Sequence, residues 1–574
     1  METLETPSLR ILQSVMAGSC KASDGSDMWT FGLDTKWTVL LTLILGAIPL
    51  MVLFGGPIIV RLVGRTVGFY IRQKTAGRKT QVLERVEIDE KEYRENKGKG
   101  QDGNDWENVE SHATGTADKE WDGIVGFFHP FCNAGGGGER VLWAAILATQ
   151  RRWPNAKCIV YTGDHDVDKS QIISRVKDRF NIQLHPPTIT FLYLTTRHWV
   201  LASTWPHFTL LGQSIGSLIL AWDAFSLVVP DIFVDTMGYA FALGFSKILF
   251  PEVPTGAYVH YPTISTDMLG SLDPTSVTGK QGVNAGQGQG LRGKAKKLYW
   301  KIFAKFYTWV GASIDVVLTN SNWTLDHITS LWGELRRDLK KPIATAVFPP
   351  VAVEELEEKI SVTSESESIR QPALLYIAQF RPEKNHQLIL NAFATFKSTE
   401  SPATKGAKLI LVGSVRDDSD SKRVYQLRLL ANELKIKDDV EFHLDAPWPD
   451  ILMWLGKASV GVNGMWNEHF GIGVVEYQAA GLISVVHDSG GPKRDIVTEV
   501  DGLPTGFHAS TAEQFAQGFE SALSLPREDK IAMRLRARKS AQRFTEAEFA
   551  KKWIVGMEEL VRLRRKWEGI RRSQ

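Results

Sequence analysis

The sequence has few cysteines and almost no excess charge. Only Cys20, Cys132 and Cys158 occur in 574 residues, a spaced and odd-numbered set that excludes a disulfide-stabilised scaffold and fits a body kept in a reducing compartment. No CxxC pair or Cys/His cluster indicates zinc. The 67 basic and 65 acidic residues give a net charge of +2, so no nucleic-acid partner is expected from bulk attraction. Hydrophobic residues make up 43% of the chain, which excludes a mostly disordered protein.

One long uncharged run lies near the N-terminus, between Lys36 and Arg61. As a helix it would be about 36 Å long, enough to cross a bilayer core of about 30 Å. A cleaved signal peptide is the alternative, but the run starts too late and is longer than a signal h-region. We therefore predict a transmembrane anchor over residues 37–60 after a short lumenal tail, residues 1–36.

The charges beside this run predict its orientation. Residues 61–80 contain six bases and no acid, whereas residues 17–36 contain two bases and three acids. Because the positive flank faces the cytosol, we expect a single-pass protein with a cytosolic body. The glycosylation pattern at Asn322-Trp323-Thr324 should then stay unmodified.

The rest of the chain reads as two α/β domains. Residues 61–120 are predicted to be a basic juxtamembrane segment and a polar linker. From residue 121, short apolar runs rich in β-branched and aromatic residues alternate with helical stretches, which is typical of parallel sheets covered on both faces. We predict two Rossmann-like doubly wound domains, 121–345 and 346–550, and a basic C-terminal helix, 551–574. The predicted strands are 123–129, 157–162, 188–194, 228–236 and 313–320, then 373–380, 408–413, 440–444, 458–463 and 482–488.

Two stretches bear on the membrane. Residues 198–222 contain no Asp, Glu, Lys or Arg, but a second span would place the two domains on opposite sides, so burial or shallow insertion is expected instead. Residues 291–310 carry six bases and no acid. Either a helix on an anionic membrane surface or a packed helix with a basic side fits them. Residues 271–297 are Gly-rich and polar, and predict a flexible loop. The apolar face predicted for 291–310 comprises Tyr299, Ile302, Phe303, Phe306, Trp309 and Val310.

Four consecutive glycines, Gly135, Gly136, Gly137 and Gly138, separate the first predicted strand from a helix. Glycine permits positive φ and close approach of the backbone to a ligand, and a helix N-terminus attracts phosphate. The motif is neither GxGxxG nor a Walker loop, because no Lys-Ser/Thr follows. A flexible turn is the alternative.

The second domain begins with a cationic turn that follows its first strand. Arg381 and Lys384 could both reach a diphosphate, the former as a fork and the latter as a point charge. The alternative is a surface ion pair with Glu383. Glu468 and Glu476 stand eight apart around a predicted helix start, where they would accept hydrogen bonds from sugar hydroxyls or remain solvated carboxylates. All these motifs follow strands, where open α/β sheets bind ligands.

This combination resembles the retaining glycosyltransferases of the GT-B fold, family four, over roughly residues 121–550. Segments 129–146, 197–217, 258–265, 379–389 and 467–481 resemble more narrowly the α-1,2-mannosyltransferases of the dolichol-linked oligosaccharide pathway. The resemblance implies transfer of the fourth and fifth mannoses from GDP-mannose to Man3GlcNAc2-PP-dolichol. It also implies a place on the cytosolic face of the endoplasmic reticulum membrane and a complex with other mannosyltransferases of the pathway.

The resemblance also implies a role for each site residue. Arg381 and Lys384 would hold the donor diphosphate, Glu476 the ribose, and Glu468 the mannose. His469, Phe470 and Gly471 would line the sugar pocket, and the Gly135–Gly138 loop would close over phosphate from the acceptor side. His260 would bond the transferred sugar. The implied catalytic residues are His260, Arg381, Lys384 and Glu468.

No cofactor or metal is expected, because fixed cationic side chains would replace the cation. Asp164-His165-Asp166, followed by Asp168, resembles the Mn²⁺-binding DxD of the other glycosyltransferase fold, which the GT-B resemblance disfavours. Three other functions stay open. They are another cytosolic-face lipid glycosyltransferase, for example one moving N-acetylglucosamine from its UDP donor to phosphatidylinositol; a sugar-phosphate-processing enzyme or phosphorylase; and an inactive membrane scaffold.

Overall fold

The computed structural model describes residues 56–97, 121–273 and 289–573. The chain divides into a unit at residues 1–62 and a unit at residues 63–574. Of the first unit only residues 56–62 are described, and they begin helix α1, Gly56–Lys97. The predicted tail and all but the last residues of the predicted anchor lie outside the described part of the chain.

The first domain is built on a seven-stranded parallel sheet. Its order, β3-β2-β1-β4-β5-β6-β7, reverses direction between β1 and β4. The strands are β1 Ile124–Phe128, β2 Lys157–Thr162, β3 Ile189–Tyr193, β4 Ile232–Asp235, β5 Thr255–Val259, β6 Val316–Thr319 and β7 Thr345–Ala346.

Helices cover both faces of this sheet. Their starts follow local capping: Asp168 accepts a hydrogen bond from the Gln171 N–H at the start of α3, and Ser321 accepts one from the Thr324 N–H at the start of α8. The helices are α2 Gly137–Arg152, α3 Lys169–Phe180, α4 Thr209–Leu227, α5 Ala240–Leu249, α6 Thr266–Ser271, α7 Gly290–Ser313 and α8 Asn322–Asp338.

The second domain repeats this architecture with six parallel strands in the order β10-β9-β8-β11-β12-β13. The prediction of two doubly wound parallel-sheet domains is therefore confirmed. The strands are β8 Gln371–Ile377, β9 Lys408–Gly413, β10 Val440–Leu444, β11 Ala458–Asn463, β12 Ile483–His487 and β13 Gly506–Ala509. The helices are α9 Val353–Lys359, α10 Ser364–Ile369, α11 His386–Lys397, α12 Asp418–Glu433, α13 Trp448–Lys457, α14 Ile472–Ala479, α15 Ala512–Ser524 and α16 Arg527–Ala541.

Helix α1 differs from the prediction for residues 61–120. Residues up to Lys97 form one helix rather than a linker, because Ile71, Thr75 and Val86 recur on one helical face and are buried against the first domain. Arg72 and Lys79, predicted as juxtamembrane charges, form ion pairs with Glu252 (2.8 Å) and Asp231 (3.0 Å).

The last helix, α17 Glu546–Ser573, returns to the first domain. Its buried residues Phe549, Trp553 and Leu560 join the core formed by α2, β1 and β2. The Trp553 indole N–H also donates to Thr149 Oγ1 in α2, at 3.2 Å. The first domain is therefore completed by the C-terminal end of the chain.

The uncharged stretch 198–222 contributes α4 to the first domain. Among the described residues α4 is the one helix long and apolar enough to span a membrane, but its small residues pack inward. A Cβ at Gly216 would lie 2.1 Å from the Trp199 carbonyl oxygen, and Leu220 and Phe225 are fully buried. The expectation of burial therefore holds for the face of α4 that carries Gly216, Leu220 and Phe225.

Helix α7 departs from the predicted loop and from the predicted apolar face. It already begins at Gly290, inside the stretch 271–297 predicted as flexible; residues 274–288 lie outside the described parts. Phe303 and Val310, two members of the predicted apolar face, are buried in the core with Trp300 and Tyr307. A neighbouring stripe of apolar side chains is exposed instead, because the helix carries two apolar faces.

Candidate functional site

A cavity of about 300 Å³ lies between the carboxyl edges of the two sheets. It is placed where the strand order of each sheet reverses, since Gly137 follows β1 and Glu468 follows β11. Such crevices are the usual ligand sites of open α/β sheets. The residues that line it include Gly137, Gly138, His260, Asn320, Lys384, Asn463, Glu468, His469, Phe470, Gly471, Ile472, Gly473 and Tyr477.

Lys384 and Glu468 form an ion pair within this cavity. Burial alone would raise the pKa of Glu468, but the Lys384 ammonium holds it below the ordinary value. The ammonium also lies 3.1 Å from Met465 Sδ, a weak acceptor. Because an ammonium carries three N–H groups, Lys384 can keep Glu468 and still donate to a ligand oxygen.

Arg381 does not line this cavity. Its backbone is extended (φ −106°, ψ 157°) and precedes the 3₁₀ turn Pro382–Lys384. It lines a second cavity, and its guanidinium lies 3.8 Å from Glu383. The two cations predicted to share one diphosphate are therefore placed at different cavities.

Glu476 lies one turn into α14 and is not among the side chains lining the cleft. Burial raises its pKa to about 7, and the positive charge of Arg140 opposes that rise. Its carboxylate has no ion pair among the described residues. A carboxyl with this pKa changes charge near neutrality.

The glycine loop is held by the first domain itself. Glu139 accepts hydrogen bonds from the N–H groups of Gly135 (2.6 Å) and Gly136 (3.4 Å), so these two donors are occupied. Gly135 has φ +78°, and its carbonyl accepts from Arg179 Nε at 2.8 Å. Gly137 and Gly138 begin α2, and within the described residues their N–H groups have no acceptor. They are thus the part of the loop available to an anion.

The start of α14 supplies a second pair of backbone donors. Gly471 has φ +107° and precedes Ile472 and Gly473, whose N–H groups open the helix toward the cavity. Two helix N-termini and one ammonium therefore converge here, each favouring negative charge. The sequence contains a signal for this feature, because Gly471-Ile472-Gly473 follows a strand and its loop, but the motif was assigned to the sugar pocket alone.

His260 lines the cavity in a defined tautomer. Its Nε2 lies 3.1 Å from the Thr236 carbonyl oxygen, which can only accept, so Nε2 carries the hydrogen. Burial lowers the pKa of His260 to about 4, so the ring is neutral near pH 7 and Nδ1 is an acceptor. The described residues offer no hydrogen bond to Nδ1.

The loop that orients His260 is fixed by Asp235, which sequence reasoning missed. Its buried carboxylate accepts from the N–H groups of Met237, Gly238 and Tyr239 at 3.1, 2.8 and 2.7 Å. Thr236, between them, also bonds His129 Nδ1 through its hydroxyl at 2.7 Å. An aspartate at the end of an apolar strand was the available signal.

The other predicted sugar-pocket residues join the two domains. His469 stacks on Tyr261 of the first domain, with ring centroids 3.9 Å apart, and lies 5.5 Å from Trp323. Burial lowers the pKa of His469 to about 4. Phe470 is buried and stacks on Phe348 at 5.8 Å.

The aspartates of the DxD-like sequence have other tasks. Asp164 accepts from the N–H groups of Cys132 (2.8 Å) and Asn133 (3.1 Å) and pairs with Arg197, which anchors the start of the glycine loop. Asp168 caps α3. Within the part of the chain that the structure describes, no group of three or more His, Cys, Asp or Glu residues is placed to hold a metal ion.

Two family models match the chain. Residues 122–332 match the model described as ALG11 mannosyltransferase N-terminus, and residues 359–544 match glycosyl transferases group 1. Together they cover most of both domains, and Gly137, His260, Lys384, Glu468 and Glu476 lie within the matched residues.

Curated relatives match over most of their length. A protein of Neurospora crassa named GDP-Man:Man(3)GlcNAc(2)-PP-Dol alpha-1,2-mannosyltransferase is 67% identical over 536 residues, covering 90% of this chain and 95% of that protein. Proteins of the same name from Mus musculus and Dictyostelium discoideum are 43% and 42% identical, over 76% of this chain and 87% and 85% of theirs.

Solved structures share the fold at low identity. The N-terminal domain of Candida albicans trehalose-6-phosphate phosphatase superimposes with a TM-score of 0.55 at 12% identity, over 78% of this chain and 98% of that one. An α,α-trehalose 6-phosphate synthase from Burkholderia multivorans gives 0.54 at 11% identity, over 77% and 99%. The two-domain architecture is that of GT-B-like glycosyltransferases.

Proposed function

The chain belongs to the family of GDP-Man:Man(3)GlcNAc(2)-PP-Dol alpha-1,2-mannosyltransferases, and on that premise we propose that it extends a dolichol-linked trimannosyl glycan. The donor is GDP-mannose and the acceptor is Man3GlcNAc2-PP-dolichol, which receives the fourth and fifth mannoses in α-1,2 linkage. The observation that carries this proposal is the 67% identity to the Neurospora crassa enzyme over 90% of the chain.

The cleft supports a role for Lys384 in drawing off the leaving GDP. In our proposal the Lys384 ammonium and the free N–H groups at the starts of α2 and α14 bind the diphosphate. All are fixed before the reaction, so they stabilise the charge that develops as the glycosidic bond breaks. Glu468 stays paired with Lys384 and accepts from mannose hydroxyls. Arg381 lines the other cavity, and its binding of the same diphosphate, which the resemblance implies, stays a prediction.

His260 is proposed to orient the transferred mannose. Its unprotonated Nδ1 can accept a hydrogen bond from a sugar hydroxyl, while its Nε2–H remains on Thr236. With the ring neutral near pH 7, it binds without adding charge. It positions the sugar and does not act as a general acid.

Retention of configuration follows from same-face attack in this proposal. The acceptor 2-hydroxyl adds to an oxocarbenium-like centre while the departing phosphate takes its proton. A double-displacement route would need a nucleophilic carboxylate beside a second carboxyl about 5–5.5 Å away; Glu468, committed to Lys384, is poorly suited to that task. Rate acceleration then comes from positioning and from electrostatic stabilisation of GDP, and we propose that no metal is needed.

Membranes carrying the full chain, incubated with GDP-mannose and defined lipid-linked acceptors, test this function. We expect the trimannosyl acceptor to gain two hexoses that an α-1,2-mannosidase removes, with GDP and not UDP competing. A preference for a UDP-sugar would favour a different lipid glycosyltransferase, and no extension of any acceptor would contradict the proposal.

We also propose a cytosolic, membrane-facing placement, in line with the predicted single-pass anchor in the endoplasmic reticulum. The support is an exposed apolar patch, termed here the α4–α7 patch. The two helices meet where the Leu211 N–H donates to Tyr299 Oη at 3.0 Å. Exposed Lys294, Lys301 and Lys305 lie on the same helix as the α7 part of the patch, as expected for contact with anionic lipid. The patch consists of Phe208, Leu211, Ile215, Leu298, Ile302, Phe306 and Trp309.

An environment-sensitive fluorophore on a cysteine introduced at Phe306 tests the patch in the full chain reconstituted with vesicles. We expect a blue-shifted emission that strengthens when the vesicles are anionic. Leu535, on α16 of the second domain and similarly exposed, serves as the matched site, and the chain without an introduced cysteine is the blank. Equal emission at 306 and 535 would contradict the placement.

A further inference from the structure

The two residues on either side of Glu468 in the chain are both held by the first domain. On one side, the His469 ring stacks on Tyr261. On the other side, the side-chain amide of Asn467 donates to Asp267 Oδ2 at 2.6 Å, and both side chains are half-buried. The carboxylate of Glu468 is therefore bracketed by two contacts that cross from one domain to the other.

Asp267 is itself fixed within the first domain. It lies in the first turn of α6, which is capped by Ser265, whose hydroxyl accepts from the Met268 N–H at 3.0 Å. The Asp267 Oδ2 atom also lies 3.4 Å from His327 Nε2 on α8. His327 is held in turn by Thr266, since its Nδ1 lies 2.5 Å from the Thr266 hydroxyl. The carboxylate of Asp267 is thus a fixed acceptor that faces the second domain.

Asn467 translates this contact into the position of Glu468. Its backbone is left-handed, with φ +52°, a conformation that asparagine and aspartate tolerate better than most residues. Its own N–H donates to Ser489 Oγ at 2.7 Å, which ties the loop after β11 to the loop after β12. Because the next peptide unit leads directly into Glu468, a rotation at Asn467 would move that carboxylate relative to Lys384.

We propose that Asp267 is a positioning residue for mannose transfer, since its bond to Asn467 latches the first domain onto the loop that carries Glu468. This bond is termed here the Asp267–Asn467 latch. The inference rests on the proposed function, in which Glu468 accepts from mannose hydroxyls. Neither Asp267 nor Asn467 is among the described residues that line the cleft cavity, so the latch acts through the loop and does not touch the substrate.

A general contact between domains is the alternative reading of this bond, and another acid of the first domain separates the two. Asp326 on α8 lies 3.3 Å from Arg494 of the second domain, but both of these side chains are mostly exposed. Exposed ion pairs contribute little to stability, and this pair lies far along the chain from Glu468. Asp326→Asn is therefore the matched control, because it removes an interdomain charge without changing the Glu468 loop.

Exchanging the donor and the acceptor of the latch tests it. Asn467→Asp brings two carboxylates together where the hydrogen bond was, and like charges this close repel each other. Adding Asp267→Asn restores an amide opposite a carboxylate, with donor and acceptor reversed. Asp267→Asn alone keeps an oxygen that can accept from Asn467. The values of kcat and of KM for GDP-mannose are measured with the trimannosyl lipid for these chains, the wild type and Asp326→Asn.

We expect kcat to fall about 10- to 100-fold in Asn467→Asp, up to the loss expected for a misplacement of about 1 Å. The KM for GDP-mannose should change much less, because the donors proposed to bind the diphosphate remain in the cleft. The double variant should recover most of the lost kcat. Asp267→Asn and Asp326→Asn should stay near the wild-type rate.

Urea unfolding of the same chains measures the latch without activity. We expect a lower midpoint for Asn467→Asp than for Asp326→Asn, and recovery of the midpoint in the double variant, since a change in midpoint at constant slope reports stability. Equal midpoints in Asn467→Asp and the double variant would overturn the latch.

Two kinetic results would also overturn the proposal: a wild-type kcat in folded Asn467→Asp, or a folded double variant as slow as Asn467→Asp. If Asn467→Asp does not fold, Asp267→Ala replaces it, because alanine removes the acceptor without adding a charge. A wild-type kcat in folded Asp267→Ala would then overturn the proposal. Absence of transfer by the wild-type chain would count against the proposed function, and the unfolding midpoints would then decide the latch by themselves.

Discussion

At the scale of single residues, the cleft depends on compensated charges. Lys384 and Glu468 are each mostly buried and each is the other's partner. Removing either leaves a buried charge uncompensated, which costs more than the pair itself is worth. Substitution of Lys384 therefore also raises the pKa of Glu468, which loses the charge that holds it down.

Glu476 gives the site a pH dependence of its own. Burial raises its pKa to about 7, so it is largely protonated below that pH and ionised above it. The sequence predicts that Glu476 binds the ribose, and an ionised carboxylate is the stronger acceptor for hydroxyls, so we expect the KM for GDP-mannose to fall as the pH rises through about 7 and then to level off. Steady-state rates at fixed ionic strength over this range measure it.

Glu476→Gln is the matched variant, because the amide stays neutral and its KM should no longer depend on pH. Asp235, whose pKa burial also raises to about 7, is retained in that variant. A KM that still falls through pH 7 in Glu476→Gln would therefore reject the assignment. The stability of the fold depends on pH in the opposite direction. Because the pKa of Glu476 in the folded protein lies above its ordinary value, the contribution of this residue to the free energy of unfolding declines as the pH rises toward and through 7.

At the scale of elements, the turn after β12 holds Glu468 in place. The Gly491 N–H donates to the Glu468 carbonyl oxygen at 2.7 Å. Gly490 has φ +66°, and a Cβ there would lie 2.3 Å from that oxygen and 2.8 Å from the Glu468 nitrogen. Only glycine allows these two backbones to approach so closely.

Gly490→Ala should lose transfer as well as stability. Gly502→Ala is the matched control, since Gly502 has a similar φ of +74° but nothing within 4 Å of its Cβ position. Both variants should lose about 1–2 kcal/mol for the left-handed backbone. Only in Gly490→Ala does the new Cβ overlap the Glu468 backbone and displace it. A misplacement of about 1 Å lowers kcat about 100-fold. Denaturant unfolding and transfer rates separate the two effects, and equal rates in the two variants would show that the turn does not position the site.

Most strands were predictable from sequence, because a strand buried on both faces has a continuous apolar run. β13, Gly506–Ala509, was missed because Gly and His interrupt the run. β5, Thr255–Val259, was noticed only through the histidine that follows it. For α7 the sequence predicted one apolar face, but the structure buries Phe303 and Val310 and exposes Ile302, Phe306 and Trp309, since local periodicity does not show which apolar side chains the domain covers.

Lys384, Glu468, His260 and two of the four loop glycines were predicted at the cleft, and the structure places them around one cavity. Their positions follow from one rule, the carboxyl ends of parallel strands. Arg381 was grouped with Lys384 from spacing; the structure places its side chain at another cavity, and their joint binding of a diphosphate stays a prediction. Asp235 was missed because its partners are backbone N–H groups, so only its place at the end of an apolar strand marked it in the sequence.

At the scale of the whole molecule, the C-terminal helix α17 packs into the core of the first domain, although the second domain precedes it in sequence. Trp553 of α17 is 1% exposed within the core of the first domain. Across the cleft, Asn322 donates from its backbone N–H (2.9 Å) and its side chain (2.6 Å) to Asp495. A glycan on Asn322 would remove the second of these bonds. The side chain in the glycosylation pattern therefore makes a structural contact with Asp495.

Trp553→Ala should destabilise the first domain although it lies at the C-terminal end of the chain. Truncating a large buried aromatic costs about 3–5 kcal/mol, and the indole bond to Thr149 is lost as well. Trp567→Ala, on the same helix but at an exposed position, should cost less than about 1 kcal/mol. Thermal unfolding measures both, and equal losses would mean that α17 does not complete this core.

Mannose transfer by the Lys384→Ala chain tests most directly whether a nucleotide sugar is held in the cleft by its diphosphate. The measurement compares wild type, Lys384→Ala and Lys422→Ala with GDP-mannose and the trimannosyl lipid, and circular dichroism checks the fold. We predict a loss of at least about 100- to 1000-fold in kcat for Lys384→Ala, the usual effect of removing one preorganised charge-stabilising donor, and normal rates for Lys422→Ala. Near-normal transfer by a folded Lys384→Ala chain would contradict the assignment.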